Sequence, residues 1–135
     1  MKTLTILLLQ IALATTAGAQ DANWRGTFYN KEYNIHAKLN LNAMDIPVPG
    51  LELDSCYGYF TGNINGAWYV LRIKEKKGSK ALVRAISERG ADAQDVEITL
   101  TDDGISLKLV DGTYLKGVDK NKYVKLPKPL EMLRE

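Results

Sequence analysis

The chain has one cysteine, Cys56, and one histidine, His36, and this scarcity limits its chemistry. A single cysteine cannot close a disulfide within the chain, so packing and hydrogen bonds must stabilise the fold. Nucleophilic catalysis needs a base beside the nucleophile, and nothing in the sequence places His36 near Cys56. No cluster of His, Cys or carboxylate residues has the pattern of a metal site. We therefore predict a non-enzymatic protein with no catalytic residues, no metal site and no cofactor.

The sequence also lacks an apolar run long enough to cross a membrane. Its longest such stretch, residues 4–14, spans about a dozen residues, whereas a transmembrane helix needs about 20. Lys2 precedes this stretch, and the small residues at 17–19 follow it in the order that signal peptidase accepts. We predict a signal peptide over residues 1–19, cleavage between Ala19 and Gln20, and export to the periplasm or the extracellular space. The mature protein is expected to have no membrane span.

No excess of one charge marks the chain, which has 18 Lys and Arg residues against 16 Asp and Glu residues. A nucleic-acid partner would require a basic surplus on one face, so we predict no such partner. The length that remains after residue 19 suits a single domain. We place a β-barrel domain at residues 20–119 and an extended tail at residues 120–135.

Short apolar alternations and turn signals follow one another along the mature chain. Between Tyr33 and Asn42, apolar side chains alternate with polar ones, which is typical of a half-buried strand. Asn65-Gly66 and Asp111-Gly112 are strong hairpin signals because these residue types tolerate positive φ. About eight such strands fit into the domain, most of them joined by tight turns. The pattern predicts an all-β fold, namely a closed up-and-down antiparallel barrel, with a β-sandwich as the alternative.

Two segments depart from this pattern. Residues 43–55 contain Pro47 and Pro49, which lack backbone donors, so we predict an apolar loop there rather than a central strand. After residue 119, two further prolines predict an extended tail that leaves the sheet. Residues 130–135 are expected to form one helical turn that packs back onto the domain.

Aromatic side chains are concentrated in the first half of the mature chain. Tyr57 and Tyr59 are two positions apart and are expected on one face of a strand, with Trp68 across the next hairpin. They either fill the barrel core or line a pocket for a hydrophobic or carbohydrate ligand. Such a pocket would lie between this hairpin and the apolar loop, and Cys56 beside it would be a small buried side chain. The predicted ligand-binding residues are Tyr57, Tyr59, Trp68, Ile46, Val48 and Leu51.

The opening sequence WRGTFY at residues 24–29, ahead of a long meander, resembles the entrance of small lipocalin-like barrels. In that family a Trp near the start of the first strand closes one end of the barrel. The family pattern is Gly-x-Trp, whereas this chain has Trp24-x-Gly26. The chain is also similar to small exported proteins of Bacteroidetes-type bacteria, whose signal peptides often end in Ala-Gln. The resemblance implies a binding barrel and transfers no binding residue to this chain.

These observations favour an exported, non-enzymatic protein that holds a small apolar or amphipathic ligand in its β-barrel. The alternative is a protein-interaction module, such as an inhibitor of an extracellular hydrolase or a subunit of an envelope complex. A hydrolase that uses two carboxylates is a third hypothesis. A loop that lies over a cavity would favour the small ligand, and a loop exposed as an apolar patch would favour the protein partner. A filled barrel interior would argue against a ligand inside it.

Overall fold

The computed structural model describes residues 23–90 and 92–135, and for residues 51–53 it describes the backbone alone. The predicted signal peptide over residues 1–19 and its cleavage site lie outside these residues. Within them, no helix has the length and hydropathy that crossing a membrane would require. The strands, numbered in chain order, are β1 (Arg25–Asn30), β2 (Ile35–Asn40), β3 (Ile46–Val48), β4 (Leu51–Cys56), β5 (Gly58–Gly62), β6 (Trp68–Lys77), β7 (Lys80–Ser87), β8 (Ala93–Leu100), β9 (Gly104–Val110), β10 (Gly117–Asp119), β11 (Lys122–Val124) and β12 (Leu130–Arg134).

Eight of these strands form a closed antiparallel barrel, in the order β1-β12-β9-β8-β7-β6-β5-β2. Each barrel strand pairs with the next one along the chain, and the last strand closes on the first. The predicted all-β fold and its closed up-and-down barrel are therefore confirmed, and the β-sandwich alternative is wrong. Two small two-stranded sheets are inserted into the meander, β3–β4 between β2 and β5, and β10–β11 between β9 and β12. Strands β1, β5, β7 and β9 all end at the same end of the barrel, here called the upper end.

Apolar side chains from alternate strand positions fill the barrel. Large and small residues face each other: Ala37 is directly opposite Phe28 on one side and Phe60 on the other. All three side chains are at most 2% exposed. Alternation of large and small side chains lets the facing layers interdigitate at the density of a protein interior.

The outer face of the barrel carries one ion network across three strands. Asp95 on β8 is opposite Arg84 on β7, whose Nε donates to Oδ1 at 2.8 Å. Lys74 on β6 donates from Nζ to Oδ2, also at 2.8 Å. Asp95 is only 5% exposed. The hydrogen bond from Arg84 is the main reason that the pKa of Asp95 is about 2, below the ordinary 3.8, and Lys74 lowers it further against the opposing effect of burial.

Residues 43–55 do not form the predicted loop. β3 and β4 pair with each other over much of this segment, and the register shifts between Pro47 and Val48. A two-stranded sheet outside the barrel tolerates Pro47 because no central ladder depends on its missing N–H. β10, the short strand after β9, begins only at Gly117 and pairs with β11 outside the barrel.

The tail over residues 120–135 leaves the barrel sheet only in part: residues 125–129 belong to no strand, but β12 returns the chain to the barrel, so the barrel domain extends beyond residue 119. β11 lies within the tail, and β12 pairs with both β1 and β9, so residues 130–134 form a barrel strand and not a helical turn. Leu130 and Met132 point into the core. A run of five residues is too short for its periodicity to distinguish a helical turn from a strand.

The closing role of β12 can be tested with two neighbouring residues. Met132 is 1% exposed inside the barrel, whereas Leu133 is 62% exposed outside it. We expect Met132→Ala to lower the free energy of unfolding by about 2–5 kcal/mol, because it leaves a cavity in the core. The matched variant Leu133→Ala should change it by less than about 0.5 kcal/mol. Urea denaturation measures both, and equal effects would contradict the placement of β12 in the wall.

The network around Asp95 predicts acid sensitivity. Because the pKa of Asp95 is lower in the folded protein, its contribution is present above pH 4 and is lost as the pH falls towards 2. That contribution is at most about 2 kcal/mol. We expect Asp95→Asn to be less stable than wild type at pH 6. Near pH 2 the stabilities of the two proteins should become similar. The control is Asp103→Asn, in the exposed turn before β9, which should keep the wild-type dependence on pH. If the free energy of unfolding depended on pH in the same way for all three proteins, the prediction would be contradicted.

Candidate functional site

Two of the six predicted ligand-binding residues, Trp68 and Tyr57, pack in or against the barrel core. Trp68 begins β6, is 0% exposed, and is opposite Phe60 in the core. Its indole Nε1 donates to Asn65 Oδ1 at 3.1 Å. Tyr57, between β4 and β5, is partly buried against the same core. The core alternative therefore describes Trp68, which lies opposite Phe60 in the barrel core.

Tyr57 and Tyr59 do not share a face, contrary to the sequence-based expectation. Gly58 lies between them with φ at +152°, a conformation that side chains rarely adopt. A Cβ at this position would lie 2.3 Å from the carbonyl oxygen of Lys38. This glycine interrupts the simple alternation of the strand. Tyr59 instead packs outside the barrel, where its ring meets that of Tyr69 edge to face at 6.5 Å between centroids.

The inserted sheet forms a second apolar cluster on this outer face, here called the outer cluster. Its buried members are Ile46, Val48 and Cys56, and Tyr59 and Tyr69 pack against them. Ile46 and Val48 are therefore covered and do not form an exposed apolar patch. The remaining predicted residue, Leu51, is the first residue of β4 and pairs with Val48, and its side chain lies outside the described part of the chain.

Cys56 is the most deeply buried member of the outer cluster, as the sequence predicted. Its Sγ donates to the carbonyl oxygen of Gly58 at 3.2 Å and approaches that of Ile46 at 3.5 Å. Burial raises the pKa of the thiol, and the contact with Gly58 opposes this only in part. The thiol is therefore neutral and shielded at physiological pH.

A groove of about 360 Å³ runs beside the outer cluster, between the β3–β4 hairpin and the outer faces of β6 and β7. We call it the outer groove. Its apolar lining is Val48, Tyr69, Leu71 and Ile86, and its polar lining is Asp54, Ser55, Ser87 and Glu88. Burial, followed by the negative charge of Glu88, raises the pKa of Tyr69, so its hydroxyl stays protonated well above neutral pH. Of the five predicted ligand-binding residues whose side chains the structure describes, Val48 alone lines this groove.

The barrel interior leaves almost no room for a ligand. Trp24 and Leu41 are buried at the lower end, and Leu115, Leu126 and Pro127 lie over the upper end. The apolar space that remains below the upper cover is about 20 Å³, roughly the room of one water molecule. The interior of this barrel is thus a packed core.

The single histidine and the single cysteine lie in different surroundings. His36 is exposed on β2 and stacks on the ring of Tyr29, with 4.5 Å between centroids. Cys56 is buried in the outer cluster. Among residues 23–90 and 92–135, no three His, Cys, Asp or Glu side chains are grouped to hold a metal ion.

The burial of Cys56 predicts a slow reaction with thiol reagents. We expect the native protein to react with Ellman's reagent at least about 100-fold more slowly than the protein unfolded in urea. A matched control uses the exposed neighbour of Cys56: the double variant Ser55→Cys/Cys56→Ala should react rapidly in the folded state. Equal rates for wild type and this variant would show that the outer cluster does not shield the thiol.

Comparison of the chain with known proteins yields no match among family models, curated proteins or solved structures. The lipocalin-like resemblance therefore rests on the opening sequence around Trp24 and on the meander. The surfaces of this chain that have room for a ligand are the grooves outside the packed barrel.

Proposed function

We propose that this protein is an exported, non-enzymatic binding protein that holds a small amphipathic molecule in the outer groove. The observation that carries the proposal is the composition of that groove, in which four apolar side chains adjoin a polar edge. Small-molecule sites in proteins combine an apolar lining with a few polar groups that orient the ligand. Export is supported by the features of residues 1–19, which match a signal peptide.

The volumes favour the outer groove over the barrel interior that the sequence analysis considered. The groove, at about 360 Å³, falls within the range of about 300–1,000 Å³ for small-molecule sites, whereas the interior space is about 20 Å³. A ligand inside the barrel would have to displace buried side chains such as Phe60. The ligand therefore lies along the outer wall, against Leu71 and Ile86.

The charges at the edge of the groove narrow the class of ligand. Asp54 and Glu88 both line it, and none of its lining residues is basic. An anionic headgroup would meet two carboxylates without a compensating cation, which is unfavourable. The apolar part of the ligand packs on Leu71 and Ile86, and its polar end is neutral or positively charged.

The alternative of a protein-interaction module would use the same surface. Leu71, at 42% exposure, is the exposed apolar side chain that a protein partner would cover. Burial of Ile46 and Val48 removes these two apolar side chains from the surface that such a partner would contact. A small ligand therefore fits this surface better than a protein partner does.

The test combines native mass spectrometry with NMR titration. Protein purified from its own host envelope should carry a small mass that is lost on denaturation, whereas a co-purifying protein would favour the interaction module. In the titration, dodecyltrimethylammonium and dodecyl maltoside, each below its critical micelle concentration, should shift the amides of Tyr69, Leu71 and Ile86. Dodecanoate should bind more weakly, because its carboxylate faces Asp54 and Glu88.

A matched pair of leucines provides the control for this titration. Leu71→Ser should weaken binding of both probes by about tenfold, because it removes apolar contact area from the groove. Leu133→Ser alters another outward leucine on the barrel wall and should leave binding unchanged. Equal binding by both variants, or shifts confined to core residues, would reject the outer groove as the site.

A further inference from the structure

A second cleft, of about 540 Å³, opens at the upper end of the barrel. It is half again as large as the outer groove, and the two meet at Ser87 but otherwise have different linings. Its walls come from the connection after β5, the connection after β7, the loop after β9, and β11. Its lining includes Asn65, Arg89, Asp92, Tyr114, Lys116 and Tyr123.

Two tyrosines expose much of their surface in this cleft. Tyr114 is 51% exposed and Tyr123 is 65% exposed. Each ring offers a flat apolar face and a polar hydroxyl, a combination that is enriched at binding surfaces. Neither side chain belongs to the barrel core.

The loop that carries Tyr114 is held from below by a buried glutamine. Gln94 is 0% exposed, and its Oε1 accepts hydrogen bonds from the backbone N–H groups of Tyr114 at 2.7 Å and Leu115 at 3.1 Å. Its Nε2 donates to the carbonyl oxygens of Val110 and Gly112 at 3.0 and 3.1 Å. One side chain thus fixes the loop at four backbone groups.

A second amide holds the same loop from the side. Asn65 Nδ2 donates to the carbonyl oxygen of Tyr114 at 2.8 Å, and Asn65 Oδ1 accepts from the N–H of Lys116 at 2.9 Å. Both backbone polar groups of Tyr114 are therefore bonded to side chains from other parts of the fold. The ring of Tyr114 is presented on a preorganised backbone, which lowers the entropy lost when a ligand binds.

The polar groups around the tyrosines include both donors and acceptors. Arg89 and Lys116 can donate, Asp92 can accept, and Ser87 can do either. Hydrogen bonds to charged side chains are stronger than those between neutral groups. A ligand with several hydroxyl groups and an apolar face for the rings would satisfy this set.

We propose that this cleft is a carbohydrate-binding site for a short oligosaccharide. Tyr114 and Tyr123 stack against the C–H faces of the sugar rings, and Arg89, Asp92 and Lys116 bond to the hydroxyl groups. The volume of the cleft falls within the usual range for small-molecule sites. Binding in this cleft and binding in the outer groove are separate proposals, and an experiment can reject one without rejecting the other.

The experiment is an NMR titration of the uniformly labelled protein with cellotetraose, maltotetraose, chitotriose and trigalacturonate, each up to about 10 mM. We expect at least one of them to shift the amides of residues 112–116 and of Tyr123 with millimolar or tighter affinity. Tyr114→Ala and Tyr123→Ala should each weaken that binding by about tenfold. Tyr114→Phe should bind nearly as well as wild type, because it keeps the ring.

The controls separate this site from the outer groove and from loss of folding. Both tyrosines are exposed, so the spectra of their variants should match wild type outside the cleft. Tyr29→Ala, on the far wall beside His36, and Leu71→Ser, in the outer groove, should leave sugar binding unchanged. The proposal is overturned if no sugar shifts these amides, or if the double variant Tyr114→Ala/Tyr123→Ala binds as wild type does. It is also overturned if a tetrapeptide such as tetraalanine shifts them and the sugars do not.

Discussion

The pairing of β12 with both β1 and β9 is the constraint on which the rest of the molecule depends. Without it, two strand edges with unpaired backbone groups would be open to solvent and to other chains. Arg134 reinforces the closure, because its guanidinium donates to the carbonyl oxygens of Asn23 and Arg25 and lies 4.7 Å from the ring centroid of Phe28. Once the wall is closed, apolar side chains fill the interior and leave about 20 Å³ of space there.

The two insertions in the meander carry the surfaces on which ligands can bind. The β3–β4 hairpin builds one side of the outer groove, and the segment between β9 and β12 contributes Tyr114 and Tyr123 to the upper cleft. Barrel strands in turn supply fixed points for these additions, namely Tyr69 for the hairpin and Gln94 for the loop. Stability therefore resides mainly in the barrel, and the candidate sites reside in what is attached to it.

The sequence predicted the barrel well because its strands alternate cleanly. Asp111-Gly112, predicted to be a hairpin turn, instead begins the loop between β9 and β10, and β10 pairs with β11 and not with β9. The sequence mispredicted the last strand because Pro129 and a run of five residues outweighed a weak alternation at Leu130 and Met132. Among the predicted ligand-binding residues with described side chains, Val48 alone lines the outer groove. Simple alternation placed Tyr57 and Tyr59 on one face because it does not include the backbone conformation of Gly58.

The upper cleft was missed because Asn65, Tyr114 and Tyr123 come together only in the folded chain. One signal was available: Gln94 shares a strand face with Val96 and Ile98, and a polar residue on an apolar face indicates a group that must be bonded. In the barrel that group organises a loop. A buried amide at the end of a predicted strand is thus a useful pointer to a shaped surface nearby.

The direction of the strands gives the molecule two unlike poles. Asn23 and Glu135 lie at the lower pole, beside the start of β1 and the end of β12, while the upper cleft opens at the opposite pole. The start of β1 and the end of β12 therefore lie at the pole opposite to the one that exposes Tyr114 and Tyr123.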